Sequence, residues 1–406
     1  MSTIRKIVAS AGYAWLFFGI TILGLCVLEG ALSLAFFVDD LIYPPARDQA
    51  PTADAYGNAP WVPDYYEEFR QSNAMQWTPY VYWRRRPYKG RYINIDNEGI
   101  RATKSPGSSS PSMTIFMFGG STLWGTGARD EFTIPSILAS ELGQKGVSAA
   151  VTNFGESGYV TTQEVITLQL QLQRGRRPDL VIFYDGINDT FSAFQQHAAG
   201  LPQNEFNRAG EFNPSDKDKM TDLLRNFAGR RSTTRFLRHF VPAANIVRDV
   251  SAESATSTPV RRVSETHAEA RQVIDTYASN IEQVTALSKH YGFSCLFYWQ
   301  ATIFQKPNLT AYEKRQRDGA RAFEPVFHEA YASIQQDRLV SDGRYAFHDL
   351  SGVFSDVSAP LYVDAFHVSE SGNAIVAKRM AQDVIAELAA IPDKRHNGPG
   401  LIAASR

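Results

Sequence analysis

Two side chains near the C-terminus have the spacing of a proton-transfer pair. In the segment PLYVDAFHVSESGN, Asp364 and His367 lie three residues apart, just before a helical pattern that starts near Glu370. This spacing lets the carboxylate reach Nδ1 of the imidazole and leaves Nε2 free to take a proton from a hydroxyl. His348, beside Asp349, is the close alternative for the same role. The sequence therefore predicts a general base that needs a nucleophile from elsewhere in the chain.

A serine far upstream is the candidate nucleophile. Ser121 follows an apolar run in the segment FGGSTLWG, where Gly119 and Gly120 permit a tight turn and the close approach of a substrate. The motif alone is weak, because a glycine-flanked serine after a strand also caps helices or binds phosphate. The nucleophile elbow of α/β-hydrolases does not fit, since Leu123 stands where that motif needs glycine, and no P-loop lysine follows.

Two further segments offer neutral hydrogen-bond donors. Gly158 in NFGESGY can present a backbone N–H, and Asn188 in YDGINDT can present a side-chain amide. Gly155 fits the same strand-end turn, so it remains an alternative to Gly158. Donors of this kind beside a nucleophile form an oxyanion hole, although each residue alone is more simply explained as a turn residue.

These candidates all follow predicted strands. Short apolar runs alternate with segments of helical period, which is the pattern of parallel strands joined by crossover helices. The predicted strands are MTIFMFG, AAVTNFG, DLVIFYDG, SCLFYWQ and a weaker YAFHDL, and the predicted helices are 133–145, 162–174, 265–291, 313–334 and 370–389. The sequence thus predicts an α/β chain with a flavodoxin-like, three-layer α/β/α sandwich. Such sheets bind ligands outside the C-terminal ends of their strands.

Taken together, the four segments resemble the defining blocks of the SGNH (GDSL-like) hydrolase superfamily, in the order of that family. GGST stands at the nucleophile block with Ser121 at its serine, GIND at the asparagine block, and Asp364 and His367 at the D-x-x-H block, while Gly158 matches the second-block glycine. The common aspartate before the serine is replaced by glycine, as in relatives with a Gly-Gly-Ser block.

The resemblance implies the SGNH hydrolase fold and ester hydrolysis through an acyl-enzyme. It implies that Ser121, His367 and Asp364 form a catalytic triad, and that the backbone N–H groups of Ser121 and Gly158 act with Asn188 as the oxyanion hole. No metal or cofactor is expected.

The substrate is less well defined by the sequence. We expect an O-acetyl group on a carbohydrate or polysaccharide, because an external location and an aromatic N-terminal region favour a glycan. An O-acyltransferase that modifies an exported glycan, a lipase or thioesterase, and a noncatalytic glycan-binding module are alternatives. Trp124, Trp299 and Gln300 follow strands and are candidate residues of the substrate rim, although core packing explains the tryptophans equally well.

An apolar segment at 12–38 predicts a membrane anchor. It is long enough to cross the ~30 Å hydrocarbon core of a bilayer as a helix. Two basic residues precede it and two aspartates follow it, so the positive-inside tendency puts residues 1–11 in the cytoplasm and the catalytic body on the periplasmic or extracellular side. A cleaved signal peptide is the alternative, since small residues occur near the end of the segment.

Composition excludes other functions. The 41 lysines and arginines nearly balance the 42 aspartates and glutamates, so the chain has no net positive charge to attract a nucleic acid. Cys26 and Cys295, the two cysteines of the chain, offer no disulfide framework or metal cluster.

Composition also suggests domain boundaries. Residues 39–112 are predicted to be an extended lead-in with room for a short hairpin, ending in the turn-rich linker KSPGSSSPS. The basic aromatic run 82–92 fits either contact with lipid headgroups or a glycan, or coverage of a core edge. The hydrolase domain is predicted at 113–392, followed by a tail at 393–406. The alternation of strands and helices in this domain is interrupted at 191–263 by an insertion that is either a mobile lid or a surface loop.

Overall fold

The structure is a computed structural model that describes residues 2–42, 54–104, 111–205, 208–209, 263–341 and 343–390. Its contacts divide the chain into two units. One comprises Met1–Gln49 and Asn207–Thr258, and the other comprises Ala50–Phe206 and Pro259–Arg406.

The first unit contributes one long helix, α1 (Ser2–Ile42). Its segment Gly12–Leu34 has a mean hydropathy of 2.0 over 23 residues. At ~1.5 Å per residue this segment is long enough to cross a bilayer. A helix of this length and composition near the N-terminus fits both a membrane span and a signal sequence. The predicted limits at 12 and 38 fall inside a continuous helix.

The second unit begins with the lead-in, which is more structured than the sequence suggests. After a short 3-10 turn at Asp54–Tyr56 come α2 (Val62–Gln71), the antiparallel pair β1 (Met75–Thr78) and β2 (Tyr82–Arg85), and the antiparallel pair β3 (Tyr88–Lys89) and β4 (Asn94–Ile95). The expectation of extended chain was wrong for α2. Proline in its first turn is compatible with a helix, and the helix buries Val62 and Tyr65. The hairpin that the sequence allowed is present.

The central sheet has five parallel strands, each at a predicted position: β5 (Met113–Gly119), β6 (Ala149–Asn153), β7 (Leu180–Asp185), β8 (Ser294–Trp299) and β9 (Phe347–Asp349). Their order is β6-β5-β7-β8-β9, with the first strand second in space, which is the flavodoxin-like order. Every residue of β7 is buried, as expected for a strand covered on both faces of a sheet.

Helices cover this sheet. They are α3 (Ser121–Trp124), α4 (Ile134–Gln144), α5 (Thr161–Gln173), α6 (Ile187–Gln196), α7 (Val263–Tyr291), α8 (Ala311–Gly319), α9 (Glu324–Gln336), α10 (Arg338–Ser341) and α11 (Glu370–Ala390). Helix α4 packs on α11, whereas α7 packs on α5, α6 and α9. The three-layer α/β/α prediction is confirmed.

Two predicted boundaries were wrong. The single helix expected at 313–334 is two helices, α8 and α9, because Pro325 fits the first turn of a helix but not its interior. The insertion expected from residue 191 begins later, since α6 continues to Gln196. Most of that insertion (210–262), part of the linker (105–110) and the predicted C-terminal tail lie outside the described residues.

Candidate active site

Ser121 lies where strand β5 ends. It is the first residue of α3, it is partly exposed, and Gly120 precedes it in an extended conformation. A Cβ atom placed on Gly120 would overlap Nδ2 of Asn188, and one placed on Gly119 would lie 2.8 Å from the carbonyl oxygen of Tyr184. The glycine that replaces the family's usual aspartate therefore leaves room for the Asn188 amide directly beside the serine.

The structure brings His367 and Asp364 to this serine. Nε2 of His367 lies 2.7 Å from Oγ of Ser121, and Nδ1 lies 2.7 Å from Oδ2 of Asp364. The other carboxylate oxygen of Asp364 accepts the backbone N–H groups of Phe366 and His367, each at 2.8 Å. A bridge between Tyr362 and Val368 closes the same loop. These bonds fix the orientation of both side chains.

The electrostatics of the pair follow from this geometry. Partial burial opposes the charge on both groups, so this effect by itself would raise the pKa of Asp364 and lower that of His367. Their mutual attraction and hydrogen bond outweigh this effect. The pKa of Asp364 is therefore below its ordinary value, and the pKa of His367 is above its ordinary value of 6.5. The carboxylate stabilises an imidazolium at this position.

One of the predicted neutral donors, Asn188, lies beside this group, and Gly158 precedes Tyr159, whose carbonyl oxygen Asn188 contacts. Nδ2 of Asn188 is next to Gly120 and also donates to the carbonyl oxygen of Tyr159 at 2.8 Å. Gly158 occupies a left-handed turn with a φ of 76°, a conformation that favours glycine. The alternative donor, Gly155, is already engaged, since its N–H donates to Oδ1 of Asn153 at 3.0 Å.

The three predicted rim residues do not line an opening. Trp124 and Trp299 are 0% exposed and Gln300 is 3% exposed. The ring of Trp299 packs beneath Gly186, and Nε2 of Gln300 donates to the carbonyl oxygen of Tyr184 at 2.9 Å. This prediction was wrong, because these side chains fill the layer beneath the strand ends and leave the surface to other residues.

The lead-in supports the 154–159 loop, which contains Gly158. Nε1 of Trp83 donates to the carbonyl oxygen of Ser157 at 2.8 Å. Nη2 of Arg84 donates to the carbonyl oxygen of Phe154 at 3.1 Å, and the backbone N–H of Arg85 donates to Glu156 at 3.0 Å. Three successive residues of β2 thus hold this loop.

The ion pair beneath the same loop is buried. The side chains of Arg85 and Glu156 are 1% and 0% exposed, with Nε and Oε1 3.5 Å apart. The guanidinium also lies 3.9 Å from the ring centre of Trp124. Burial raises the pKa of Glu156 and lowers that of Arg85. Arg84 and Arg85 of the basic aromatic run therefore cover a core edge.

A second group from the lead-in holds the chain that follows Ser121. Nη1 of Arg101 donates to the carbonyl oxygen of Gly125 at 2.7 Å, and its Nε bonds Asp130 at 3.0 Å. The hydroxyl of Tyr65 accepts the N–H of Gly127 at 2.9 Å. Sequence reasoning missed these supporting residues. The signal available was the density of arginine and aromatic residues in a region that otherwise looked unstructured.

Comparison with known proteins identifies the family. Residues 117–375, well over half of the chain, match the GDSL-like lipase/acylhydrolase family. A comparison with curated proteins finds no match.

Solved structures include several similar proteins. A carbohydrate acetylesterase family member from Sinorhizobium meliloti is 13% identical with a TM-score of 0.37, over 69% of this chain and 100% of that chain. A lipolytic G-D-S-L family protein from Veillonella parvula is 11% identical with a TM-score of 0.38, over the same shares. The acetylxylan esterase Axe2 from Geobacillus stearothermophilus is 15% identical with a TM-score of 0.31, over 68% and 95%.

The family match agrees with the motif order and with the parallel sheet that carries the motifs. The chain belongs to the GDSL-like lipase/acylhydrolase family and is a serine hydrolase of the esterase type.

Proposed function

We propose that this protein is a membrane-anchored esterase that hydrolyses O-acetyl groups on a carbohydrate or polysaccharide, with Ser121 as nucleophile, His367 as general base and Asp364 as its orienting carboxylate. One observation carries the catalytic assignment, namely the continuous chain of hydrogen bonds from Asp364 through His367 to Ser121, with both links at 2.7 Å. A nucleophile, a base and a third group that orients the base are the minimum set for nucleophilic catalysis by serine.

The geometry supports a two-step reaction. As Oγ of Ser121 attacks the acetyl carbonyl carbon, Nε2 of His367 takes the hydroxyl proton and Asp364 stabilises the imidazolium. The imidazolium then protonates the sugar oxygen as the bond from that oxygen to the carbonyl carbon breaks, which leaves an acetyl-serine. Water attacks this ester with His367 again as base, and the products are acetate and free Ser121.

The negative charge of each tetrahedral intermediate needs donors. We assign this role to the backbone N–H groups of Ser121 and Gly158 and to Nδ2 of Asn188. Nδ2 carries two hydrogens, and Tyr159 uses one of them, so the second is available for a substrate. Gly155 is excluded from the assignment because its N–H already has an acceptor.

Hydrolysis fits the exposure of the site better than acyl transfer does. The side chain of Asp364 is 45% exposed and that of His367 is 20% exposed, so water reaches the base. Transfer of the acetyl group to a second sugar would require a site that excludes water. A noncatalytic module is disfavoured by the intact hydrogen bonding of all three side chains.

The anchor completes the proposal. Helix α1 is apolar over 23 residues, and the charges that flank the predicted segment favour a cytoplasmic N-terminus. We therefore place the hydrolase domain, predicted at 113–392, together with its lead-in on the extracytoplasmic side. A reporter fused after Arg406 tests this placement. A fusion that is active only in the cytoplasm would contradict the orientation, and release of a shortened soluble chain would support a cleaved signal peptide.

The catalytic proposal is tested by chemical labelling. A fluorophosphonate probe should modify the wild-type protein on the peptide that contains Ser121 and leave Ser121→Ala unmodified, as mass spectrometry can show. In parallel, p-nitrophenyl esters of increasing chain length and acetylated oligosaccharides should be compared with and without an acceptor sugar. Acetate release that is independent of the acceptor is expected. Labelling of another serine would refute the assignment, and acetyl transfer to the acceptor would indicate an acyltransferase.

A further inference from the structure

An exposed aromatic surface extends from the 154–159 loop along the hairpin of β1 and β2. Outside α1, Trp77 and Tyr80 are the two most exposed large hydrophobic side chains of the described residues, at 68% and 73%. Trp77 lies directly opposite Trp83 in the antiparallel register, so both rings stand on one face of the hairpin. Trp83 is buried against Gly158 and Tyr159. The exposed ring of Trp77 is thus adjacent to the ring of Trp83, which contacts Gly158.

Tyr82 joins these rings into one surface. Its ring centre lies 5.4 Å from that of Trp77 and 6.5 Å from that of Trp83. We call these three residues the aromatic strip. The hydroxyl of Tyr82 donates to Oε1 of Glu205 at 3.1 Å, which links the strip to the segment 197–205 after α6.

The segment 197–205 also reaches the proposed oxyanion donors. Nε2 of Gln203 lies 3.4 Å from Oδ1 of Asn188, and Oε1 of Gln203 would lie 2.9 Å from a Cβ atom placed on Gly158. The contacts therefore run from Asn188 and Gly158 to Gln203 and Trp83, and then to the half-buried ring of Tyr82 and the exposed ring of Trp77.

Backbone strain is concentrated in the same two segments. Four non-glycine residues of the described chain have a φ in the left-handed region, namely Tyr80 (70°), Tyr82 (72°), His197 (55°) and Asn204 (63°). All four lie in the hairpin or in 197–205. For a bulky aromatic residue this conformation is unusual, and strained backbone of this kind is often found at ligand sites.

We propose that the aromatic strip is a subsite for the sugar rings of an acetylated polysaccharide whose acetyl group lies at Ser121. The proposal rests on the proposed function and names its substrate class as a polymer. One face of a pyranose ring carries C–H groups and packs on an aromatic ring, while the hydroxyls at its edge need hydrogen-bond partners. The strip provides the rings, and Gln203 places an amide beside them.

A lipid surface fits this region less well. Anionic headgroups attract exposed lysine and arginine, and Arg86 just after strand β2 is exposed, but the two arginines within the strand are buried, with Arg84 5% exposed and Arg85 1% exposed. Glu205, whose carboxylate accepts the hydroxyl of Tyr82, carries a negative charge that anionic lipid would repel. The strip also continues to the proposed oxyanion donors, a position that suits a substrate.

Binding without turnover provides the test. Full-length Ser121→Ala protein in detergent should be titrated with chemically acetylated xylo- and chito-oligosaccharides of one, three and six sugars, with and without Trp77→Ala. We expect the hexamer to bind more tightly than the monomer, and Trp77→Ala to weaken hexamer binding about tenfold and remove most of this length dependence. Trp77→Phe should restore part of the affinity. Val340→Ala, which shortens another exposed apolar side chain, is the matched control.

Failure of the proposed subsite and failure of the proposed esterase activity give different results. With Ser121 intact, Trp77→Ala should lower kcat/KM for the hexamer, relative to that for p-nitrophenyl acetate, by about tenfold. The subsite is refuted if no oligosaccharide binds or if affinity does not depend on Trp77. If the wild-type protein does not hydrolyse p-nitrophenyl acetate, the proposed esterase activity is refuted, whatever the binding experiments show.

Discussion

Two histidines of the hydrolase domain each lie near an aspartate, but the two pairs differ in geometry. Nδ1 of His367 is 2.7 Å from Asp364, whereas Nδ1 of His348 is 3.6 Å from Asp383 on α11. Their side chains are similarly exposed, at 20% and 26%. Burial lowers the pKa of His348 despite its carboxylate, whereas Asp364 raises the pKa of His367 above its ordinary value. Asp383 is farther from its histidine and also pairs at 3.2 Å with Arg379, whose positive charge lowers the pKa of His348, so carboxylate distance and this competing cation, rather than exposure, separate the two pairs.

Local backbone explains why the other candidate carboxylate does not serve His348. His348 and Asp349 are successive residues of strand β9, so their side chains point to opposite faces of the sheet. Asp349 accepts the backbone N–H of Ser351 instead, and His348 stacks on Tyr298 with ring centres 5.0 Å apart. A three-residue turn brings Asp364 and His367 together, which two adjacent strand residues cannot do.

Removal of each histidine gives the largest expected contrast. His367→Ala should lower kcat by roughly 10⁴ to 10⁶, since the serine loses its base, and Ser121→Ala should do the same. The double variant should be no slower than either single one, because the two residues act as a unit. His348→Ala should stay within about threefold of wild type. Initial rates on p-nitrophenyl acetate measure the loss of activity, and thermal melting shows whether each variant is folded. A larger loss for His348→Ala than for His367→Ala would refute the assignment.

Replacement of each carboxylate gives a smaller contrast. Asp364→Asn should lower kcat by roughly 10³ to 10⁴, because the imidazole loses its orienting acceptor while the serine and the base remain. Asp383→Asn, which alters the weaker pair, should have little effect on kcat. The same ester and the same melting assay apply. Equal losses in the two variants would show that the Asp364 contact is not the distinguishing feature.

Loss of the Asn188 amide tests whether the proposed oxyanion hole belongs to the site of Asp364 and His367. Asn188→Ala should lower kcat by roughly 10² to 10³, as expected for one missing oxyanion donor. Asn280→Ala is a matched control, since Asn280 is buried and bonds Thr162 outside the site. Unchanged turnover of Asn188→Ala on every accepted ester would remove this residue from the site.

The pH dependence of activity gives the smallest expected effect. Only the neutral imidazole accepts a proton, so kcat/KM should fall about tenfold per pH unit below the pKa of His367. Because that pKa is raised, the midpoint of the acid limb should lie above 6.5. Residual activity of Asp364→Asn should show a lower midpoint, since the charge that raises the pKa is gone. His348→Gln should leave the profile unchanged, and a shifted midpoint in that variant would implicate the second pair.

The sequence predicted the parallel sheet and the ends of its strands well, because buried strands are short apolar runs and crossover helices have their own period. It was less successful in the lead-in. Helix α2 has a short apolar face, and its stability depends on packing, so the periodicity of ten residues was too weak to detect. The break between α8 and α9 was also missed, although Pro325 was a usable signal.

By itself, the sequence determined the family, the strand positions and the residue types at the four motifs, because those properties are local or follow from motif order. The tertiary structure decided which groups meet. It brings Ser121 within 2.7 Å of a histidine 246 positions away, and it separates His348 from the aspartate beside it. It also buries Trp124 and Trp299 and uses lead-in arginines to hold the loops of the site. Such contacts depend on how strand ends and loops converge in space, which no spacing along the chain specifies.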